Sequence, residues 1–380
     1  MKHVLILGGY GATGRILARL LLEHTDLRVT LAGRRPDRAA AAAAALAETA
    51  GERVDWRLAD AASAESLTGA LRGVDLLLVT ASTVAYSQTV ARAALRAGAD
   101  YYDILYSPAK LSVLRSLAPE IRRAGLCFNT DGGLQPGLPA VLVRRAAEEL
   151  DELHTAVVGS VVQQDWRAAD PAPGNMAELL DMMADADTSI CQAGEWRGLR
   201  LRDYGVRRWL DSGAPLGMRS CFAMALDEMR ALPRHYPTLR SAAFFVGGFN
   251  ALVDWGLFPL AMLGQRFALP RSRPWLTRLL GASLRRGSQP PFRTVLKLEA
   301  TGLRAGAPAR LQMEVGHEDG YYLTAACVLA GIRQLIDGSM RRAGVALQGH
   351  AVAPGRMLTD LAGAGVDVAR AWPDPAAAGA

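Results

Sequence analysis

The sequence predicts an α/β protein: a doubly wound parallel sheet first, then a second domain of α+β character. Three observations carry this. Short apolar runs alternate with longer stretches of helical spacing over roughly the first 130 residues, as in a sheet covered on both faces. A glycine-rich turn joins the first run to the first helix. Past about residue 150, alternating β-branched segments with turn residues between them replace that rhythm.

The chain opens on Val4-Leu5-Ile6-Leu7, continues as Gly8-Gly9-Tyr10-Gly11-Ala12-Thr13-Gly14-Arg15, and enters the helix Ile16–Leu22. A GxGxxG pattern alone is weak; strand before and helix after make it informative. Gly9 and Gly11 let the chain turn tightly and let a pyrophosphate approach the backbone, and Gly14 lets the helix pack close to the strand. The helix start offers N–H groups and a positive dipole end to phosphates. Gly8, Gly9, Tyr10, Gly11, Ala12, Thr13 and Gly14 are therefore the expected dinucleotide loop of a Rossmann domain. The plain alternative is a turn between any strand and helix.

A second strand, Leu27–Ala32, ends in Gly33-Arg34-Arg35. An NAD site places an acidic residue here, against the ribose hydroxyls. Arg34 and Arg35 stand there instead, and a guanidinium suits a 2′-phosphate. NADP is therefore preferred over NAD; otherwise both arginines are ordinary surface residues before the Ala-rich helix Pro36–Ala50. Val54–Asp60 is the third strand. Asp60 either accepts from the adenine amino group or caps the helix starting near Ala64. Val74–Ser82 is the fourth, and Ala81 and Ser82 at its end are expected under the nicotinamide half. Helix Ser87–Ala97, strand Asp100–Ile104, helix Pro108–Ala124 and strand Gly125–Asn129 complete the domain.

The 380 residues, half of them hydrophobic, suit two domains with ample cores. The formal charge of +6 is spread as Arg, with no basic run that suits a nucleic-acid arm. Cys127, Cys191, Cys221 and Cys327 form no CxxC pair, so neither a zinc site nor a disulfide framework is expected. An N-terminus beginning in a strand is no signal peptide, and a cytoplasmic protein is expected.

The loop Thr130–Pro139, dense in Gly and Pro, leads into helix Ala140–Leu150. At this point the chain resembles the saccharopine dehydrogenase-like reductases. The resemblance rests on the glycine start, the segment Tyr101-Tyr102-Asp103 after Ala97-Gly98-Ala99, and the loop Gly133-Leu134-Gln135-Pro136-Gly137. It covers residues 1–150 and resumes at Gly320-Tyr321-Tyr322-Leu323-Thr324-Ala325-Ala326. That family includes saccharopine reductases, carboxynorspermidine dehydrogenases and homospermidine synthases. It implies hydride transfer between NADP(H) and a C=N bond, with a second domain closing over the substrate. In the lysine-pathway reductases the residue before Pro-Gly is acidic and suits a substrate ammonium. Here it is Gln135; Asp131 is a substitute or a turn residue.

In the middle, Thr155–Gln163, Arg197–Leu201 and Phe222–Leu226 read as strands, and Asn175–Ala193 as a helix with core methionines. Phe292–Thr301 and Ala309–Gly316 read as a hairpin about Gly302–Gly306. The resulting sheet is the expected substrate wall and homodimer surface. Ala242–Phe267 is apolar but broken by Asn250, Asp254, glycines and Pro259. A buried helix or lid over an apolar substrate is preferred. Membrane-surface attachment, helped by Arg266, Arg271 and Arg273, comes second, and a bilayer span last. Helix Trp275–Leu284 follows. His317-Glu318-Asp319 reads as the N-cap of helix Tyr321–Gly338, and no metal site is expected. The domains expected are 1–130 (NADP-binding), 131–318 (substrate and dimerisation), 319–372 (a return onto the first) and a tail, 373–380.

The preferred activity is NADPH-dependent reduction of a C=N bond. Tyr101, Tyr102, Asp103 and Asp131 are candidate proton donors, Tyr102 first, and Gln135 is a candidate substrate contact. Tyr106 and Lys110 match a short-chain Tyr-x-x-x-Lys spacing, but they fall in a helix start and the resemblance does not support the pair. The first alternative is a trans-acting enoyl reductase acting on the C=C of an apolar acyl chain, favoured by Gln135 and the apolar segment. The second is an NADP-binding sensor without turnover.

Overall fold

The computed structural model describes residues 1–169, 173–200, 202–203, 205–267 and 269–374. They form two units: Met1–Leu138 with Thr324–Ala353, and Pro139–Leu323 with Pro354–Ala380. Leu201, the side chains of Leu263, Arg266 and Arg271, and tail residues 375–380 lie outside the described residues.

In the first unit the chain alternates β1 (His3–Leu7), α1 (Ala12–His24), β2 (Arg28–Gly33), α2 (Pro36–Ala50), β3 (Val54–Leu58), α3 (Ala64–Ala70), β4 (Leu76–Val79), α4 (Ser87–Ala97), β5 (Asp100–Asp103), α5 (Pro108–Arg123) and β6 (Cys127–Thr130). β1 is buried along its whole length, as a central strand covered on both faces must be. Ser107 caps α5 by accepting from the Lys110 N–H.

The second unit runs through α6 (Leu138–Glu149), β7 (Glu152–Gln163), α7 (Trp166–Ala169), α8 (Pro173–Ala184), β8 (Ile190–Gln192), β9 (Glu195–Arg197), β10 (Arg207–Asp211), β11 (Met218–Ala223), α9 (Asp227–Arg230), α10 (Leu232–His235) and β12 (Ser241–Gly247). A π-helical turn, Val253–Leu257, leads to α11 (Phe258–Phe267), α12 (Leu269–Gly287), β13 (Arg293–Arg304) and β14 (Ala307–His317). Then come α13 (Gly320–Ile336), β15 (Gly344–Leu347), α14 (Gln348–Ala351), α15 (Pro354–Gly363) and β16 (Asp367–Ala371).

The first unit's sheet has the order β15-β6-β5-β4-β1-β2-β3, parallel throughout. The second sheet is mixed. β10-β11-β12-β7-β13-β14-β16 form its main path, and β12 and β7 are its parallel neighbours. The fold is thus a Rossmann sheet with a second α+β unit.

Several boundaries fall elsewhere than expected. The loop 131–138 belongs to the first unit rather than the second, because it hydrogen-bonds to β5 and to Gln348. The C-terminal return splits: β15 extends the first sheet beside β6, whereas β16 pairs with β14. The helix expected to reach Ala193 stops at Ala184, since the Asp187 carboxylate accepts the Ser189 N–H and holds a local turn. The hairpin turn is only Ala305-Gly306, both at positive φ. Gly302 sits inside β13 at a register shift, where a Cβ would overlap the Glu152 carbonyl. The apolar run 242–267 is not one helix. Its Phe-Phe-Val half is the buried strand β12, ended by Gly248 at φ +80°, and only the remainder is helical. Among the described residues no helix is long and apolar enough to cross a membrane.

Candidate active site

Chain order places the candidate site at one edge of the first sheet. From β1 the chain moves outward to β2 and β3, then returns to β4 on the other side of β1. Ligands of open α/β sheets bind beyond the carboxyl ends of the strands at such a reversal. Here the two strand ends nearly touch: Ala81 donates its N–H to the Leu7 carbonyl at 3.1 Å, and a Cβ on Gly8 would lie 2.7 Å from the Ala81 nitrogen.

The glycine loop builds the floor of that edge. A Cβ on Gly14 would overlap the Gly8 carbonyl, and one on Gly9 would lie 2.8 Å from Leu31. Gly11 holds the N-cap position of α1 in extended conformation. No side chain caps the helix, and its first turn carries no acidic residue. The first-turn amides at Ala12 and Thr13 thus keep their dipole end clear of competing carboxylates.

At the end of β2, the Tyr10 ring covers Gly33, whose Cβ would lie 2.5 Å from it. The Tyr10 hydroxyl accepts the Arg35 N–H at 3.3 Å. Arg34 and Arg35 are exposed and make no ion pair among the described residues. Asp60, one of whose expected roles was helix capping, is not the cap. Ser63 is, accepting from the Ser66 N–H at 3.1 Å, while Asp60 accepts the Ala62 N–H in its own tight turn.

The ends of β5 and β6 hold a buried charge cluster. Lys110 Nζ donates to Asp103 Oδ1 at 2.6 Å and to Asp131 Oδ1 at 2.8 Å, and also to the Leu105 carbonyl. All three side chains are at most 2 % exposed. Thr130 Oγ1 donates to Asp103 Oδ2 at 2.9 Å. Burial opposes the charge on Lys110, but Asp103 and Asp131 outweigh it and raise its pKa. Asp131 sits at φ +55°, in the left-handed region that a residue other than glycine enters at a cost.

Asp131 launches the loop 132–137, which is held at several points. Gly132 donates its N–H to the Asp103 carbonyl at 2.8 Å, and a Cβ there would overlap the Tyr102 ring. Gln348 accepts from the Gly133 N–H at 3.2 Å and from the Tyr102 hydroxyl. Gln135, before a cis peptide to Pro136, keeps its side-chain Oε1 buried and, among the described residues, without a hydrogen-bond partner.

Among the expected proton donors, Tyr102 is fully buried and its proton is committed to Gln348. Burial, with the Asp103 charge adding, pushes its pKa well up. Tyr101 is in the core, stacked on Phe128 at 5.1 Å. Asp103 and Asp131 are sealed in the lysine cluster. As placed, all four shape the site from behind rather than present a proton at its surface. His317 bonds to Asp319, whose carboxylate caps α13 at the Tyr321 N–H at 2.8 Å. Among the described residues no three His, Cys, Asp or Glu side chains gather to hold a metal.

Residues 4–127 match the model of the saccharopine dehydrogenase NADP-binding domain. The first unit is an NADP-binding domain of the saccharopine dehydrogenase type. The whole chain is also similar in fold to apo saccharopine dehydrogenase (L-Glu forming) from Saccharomyces cerevisiae. The identity there is 17 %, the match covers 98 % of this chain and 100 % of that one, and the TM-score is 0.70. A short-chain type dehydrogenase/reductase from Mycobacterium ulcerans matches at 17 % identity over 34 % of this chain and 66 % of its own, with a TM-score of 0.30. No curated protein matches the sequence.

The residues of this NADP-binding domain fit the cofactor. Close packing of strand, turn and helix that leaves no room for a Cβ at Gly9 or Gly14, an uncapped helix end, and exposed arginines where an NAD site carries an acid all suit a phosphorylated dinucleotide. The loop from Gly8 to Gly14 would hold the pyrophosphate and Arg34 the 2′-phosphate. Sequence reasoning missed Lys110, Thr130 and Gln348 as partners at the other end of this edge. One signal for Lys110 was present: it occupies the apolar stripe of α5 with Leu114, Leu117 and Ile121.

Proposed function

We propose that this protein is an NADP-dependent oxidoreductase that reduces the C=N bond of a small-molecule substrate. The buried cluster at the ends of β5 and β6 carries the reading. Two carboxyl groups face one ammonium there, and all three side chains are at most 2 % exposed, so little water screens their field. Such a field favours a cationic iminium over a neutral acceptor in the space beyond those strand ends. The matched domain and the full-length likeness to an enzyme named as a saccharopine dehydrogenase support the same chemistry.

Bound NADPH supplies a hydride. The chain's own work is to orient and to polarise. Gly8 and Ala81 bring the ends of β1 and β4 together at the reversal, and the Lys110 cluster fixes the ends of β5 and β6 beside them. Orientation of this kind supplies much of the rate in hydride transfer.

A second reading, reduction of an activated C=C bond, is favoured by the neutral Gln135 on the loop after β6. Incubation with NADPH and matched panels of cyclic imines and enoyl thioesters, followed by loss of cofactor absorbance, separates the two. Turnover of imines alone is the expected result, and turnover of enoyl thioesters alone would overturn it. Tight NADP binding with no turnover of either panel would leave a nucleotide sensor.

A further inference from the structure

The loop 132–137 holds one buried acceptor with nothing to accept. The Gln135 side-chain Oε1 is shut off from solvent and has no hydrogen-bond partner among the described residues. The loop is not free to move it. Asp131 is bound to Lys110, Gly132 to the Asp103 carbonyl, and Gly133 to Gln348. Gly137 adds a further constraint: at φ +120°, a Cβ on it would lie 2.6 Å from the Gly133 carbonyl. A buried acceptor left unmade costs on the order of 1–3 kcal/mol, and folded proteins seldom tolerate that where the chain is this tightly held. The loop follows β6 at the carboxyl edge, where the ligands of such sheets bind.

We propose that Gln135 is a ligand-reading residue, and that its amide accepts a hydrogen bond from a neutral N–H or O–H donor on the bound ligand. An amide is uncharged, so it pairs with a neutral donor without stranding a buried charge, whereas an ammonium there would face no carboxylate from this residue. Two ligands carry such a donor. One is the carboxamide of the nicotinamide ring. The other is a substrate with an amide or hydroxyl hydrogen next to its reducible bond; that arm rests on the reductase reading above.

The test uses the full chain and the variants Gln135→Met, which removes the acceptor at similar volume, and Gln135→Glu, which keeps an acceptor oxygen and adds a charge. Calorimetric titration with NADP reads the first source and needs no turnover. A roughly ten-fold loss of affinity in Gln135→Met, restored at least in part by Gln135→Glu, assigns the donor to the cofactor. Unchanged NADP affinity moves the test to the substrate. Cyclic imines bearing a carboxamide, a carboxylate or an aminomethyl group at one position are compared as substrates and, in the NADP-loaded protein, as calorimetric ligands. The carboxamide member is expected to lead in the native chain and to lose about ten-fold in Gln135→Met. A native chain that prefers the aminomethyl member would overturn the neutral-donor assignment. So would variants that change neither NADP affinity nor the ranking of the imines, by turnover or by heat. Absence of turnover in the native chain, with the calorimetric ranking intact, counts against the reductase reading alone.

Discussion

The two units handle strand direction and buried charge in opposite ways. In the first, all seven strands run parallel, so every strand's carboxyl end reaches the same edge. Gly8, Gly33, Ala81, Asp103 and Asp131, far apart in sequence, are gathered there by topology alone. In the second sheet most neighbours are antiparallel, so strand ends alternate and no comparable edge forms. The charges differ as well. Lys110 is sealed between two carboxylates. Asp254, on the π turn of the second unit, is buried and makes no ion pair among the described residues. Burial pushes its pKa up to about 7, although the N–H groups of Phe249 and Gly248 and the charges of Arg207 and Arg219 pull it back. Arg207 instead donates to the Asp254 backbone carbonyl and lies against the rings of Phe222 and Trp255. Topology delivers counter-ions to Lys110, which favour its charged form, whereas burial pushes Asp254 toward its neutral form.

The sharpest break in this comparison is at the glycine loop. Gly14→Val places atoms where the Gly8 carbonyl lies, and NADP affinity should fall by at least about a hundred-fold in calorimetry while the second unit is untouched. Lys110→Met comes next. It removes the ammonium that joins two buried carboxylates, and denaturant unfolding should show a loss of about 3–5 kcal/mol. The raised pKa of Lys110 means that its contribution is fully present below the ordinary lysine range and is lost only as pH climbs through the elevated value. The native protein should therefore show no change from this group near neutrality.

Asp254 slopes the same way, but within the accessible range. The folded chain holds its proton up to about pH 7, whereas the unfolded chain releases it near 3.8. Stability from this group is full below that lower value and declines as pH rises through about 7. Asp254→Asn should flatten the decline and gain about 2 kcal/mol above neutrality in unfolding curves taken across pH. Arg34→Ala should have the smallest effect, about ten-fold in NADP affinity with NAD affinity nearly unchanged. Equal loss of both would remove the 2′-phosphate role.

The first unit was legible because its signals are local. A buried strand, a glycine turn and a helix at the right spacing sit within about 20 residues, and the arginines at the end of β2 follow directly. The second unit was less legible. Asp187 stops α8 through a side-chain bond to Ser189, and Gly302 resembles a turn glycine until β7 is seen pressing on it. The candidate donors show the same limit. Tyr102 and Asp103 could be placed at a strand end from sequence, but whether a side chain there faces outward or into the core depends on Gln348 and Lys110, which lie 246 and 7 residues away.

Periodicity and turn chemistry by themselves determined the parallel sheet and its glycine loop, and the arginines after β2 the preference for a phosphorylated dinucleotide, because each depends on neighbours in the chain. Tertiary structure alone decided that Lys110 joins Asp103 to Asp131, that Gln348 takes the Tyr102 proton, and that Gln135 is left with an unanswered acceptor. Those outcomes depend on which distant groups share a water-free space, and sequence spacing carries no measure of that.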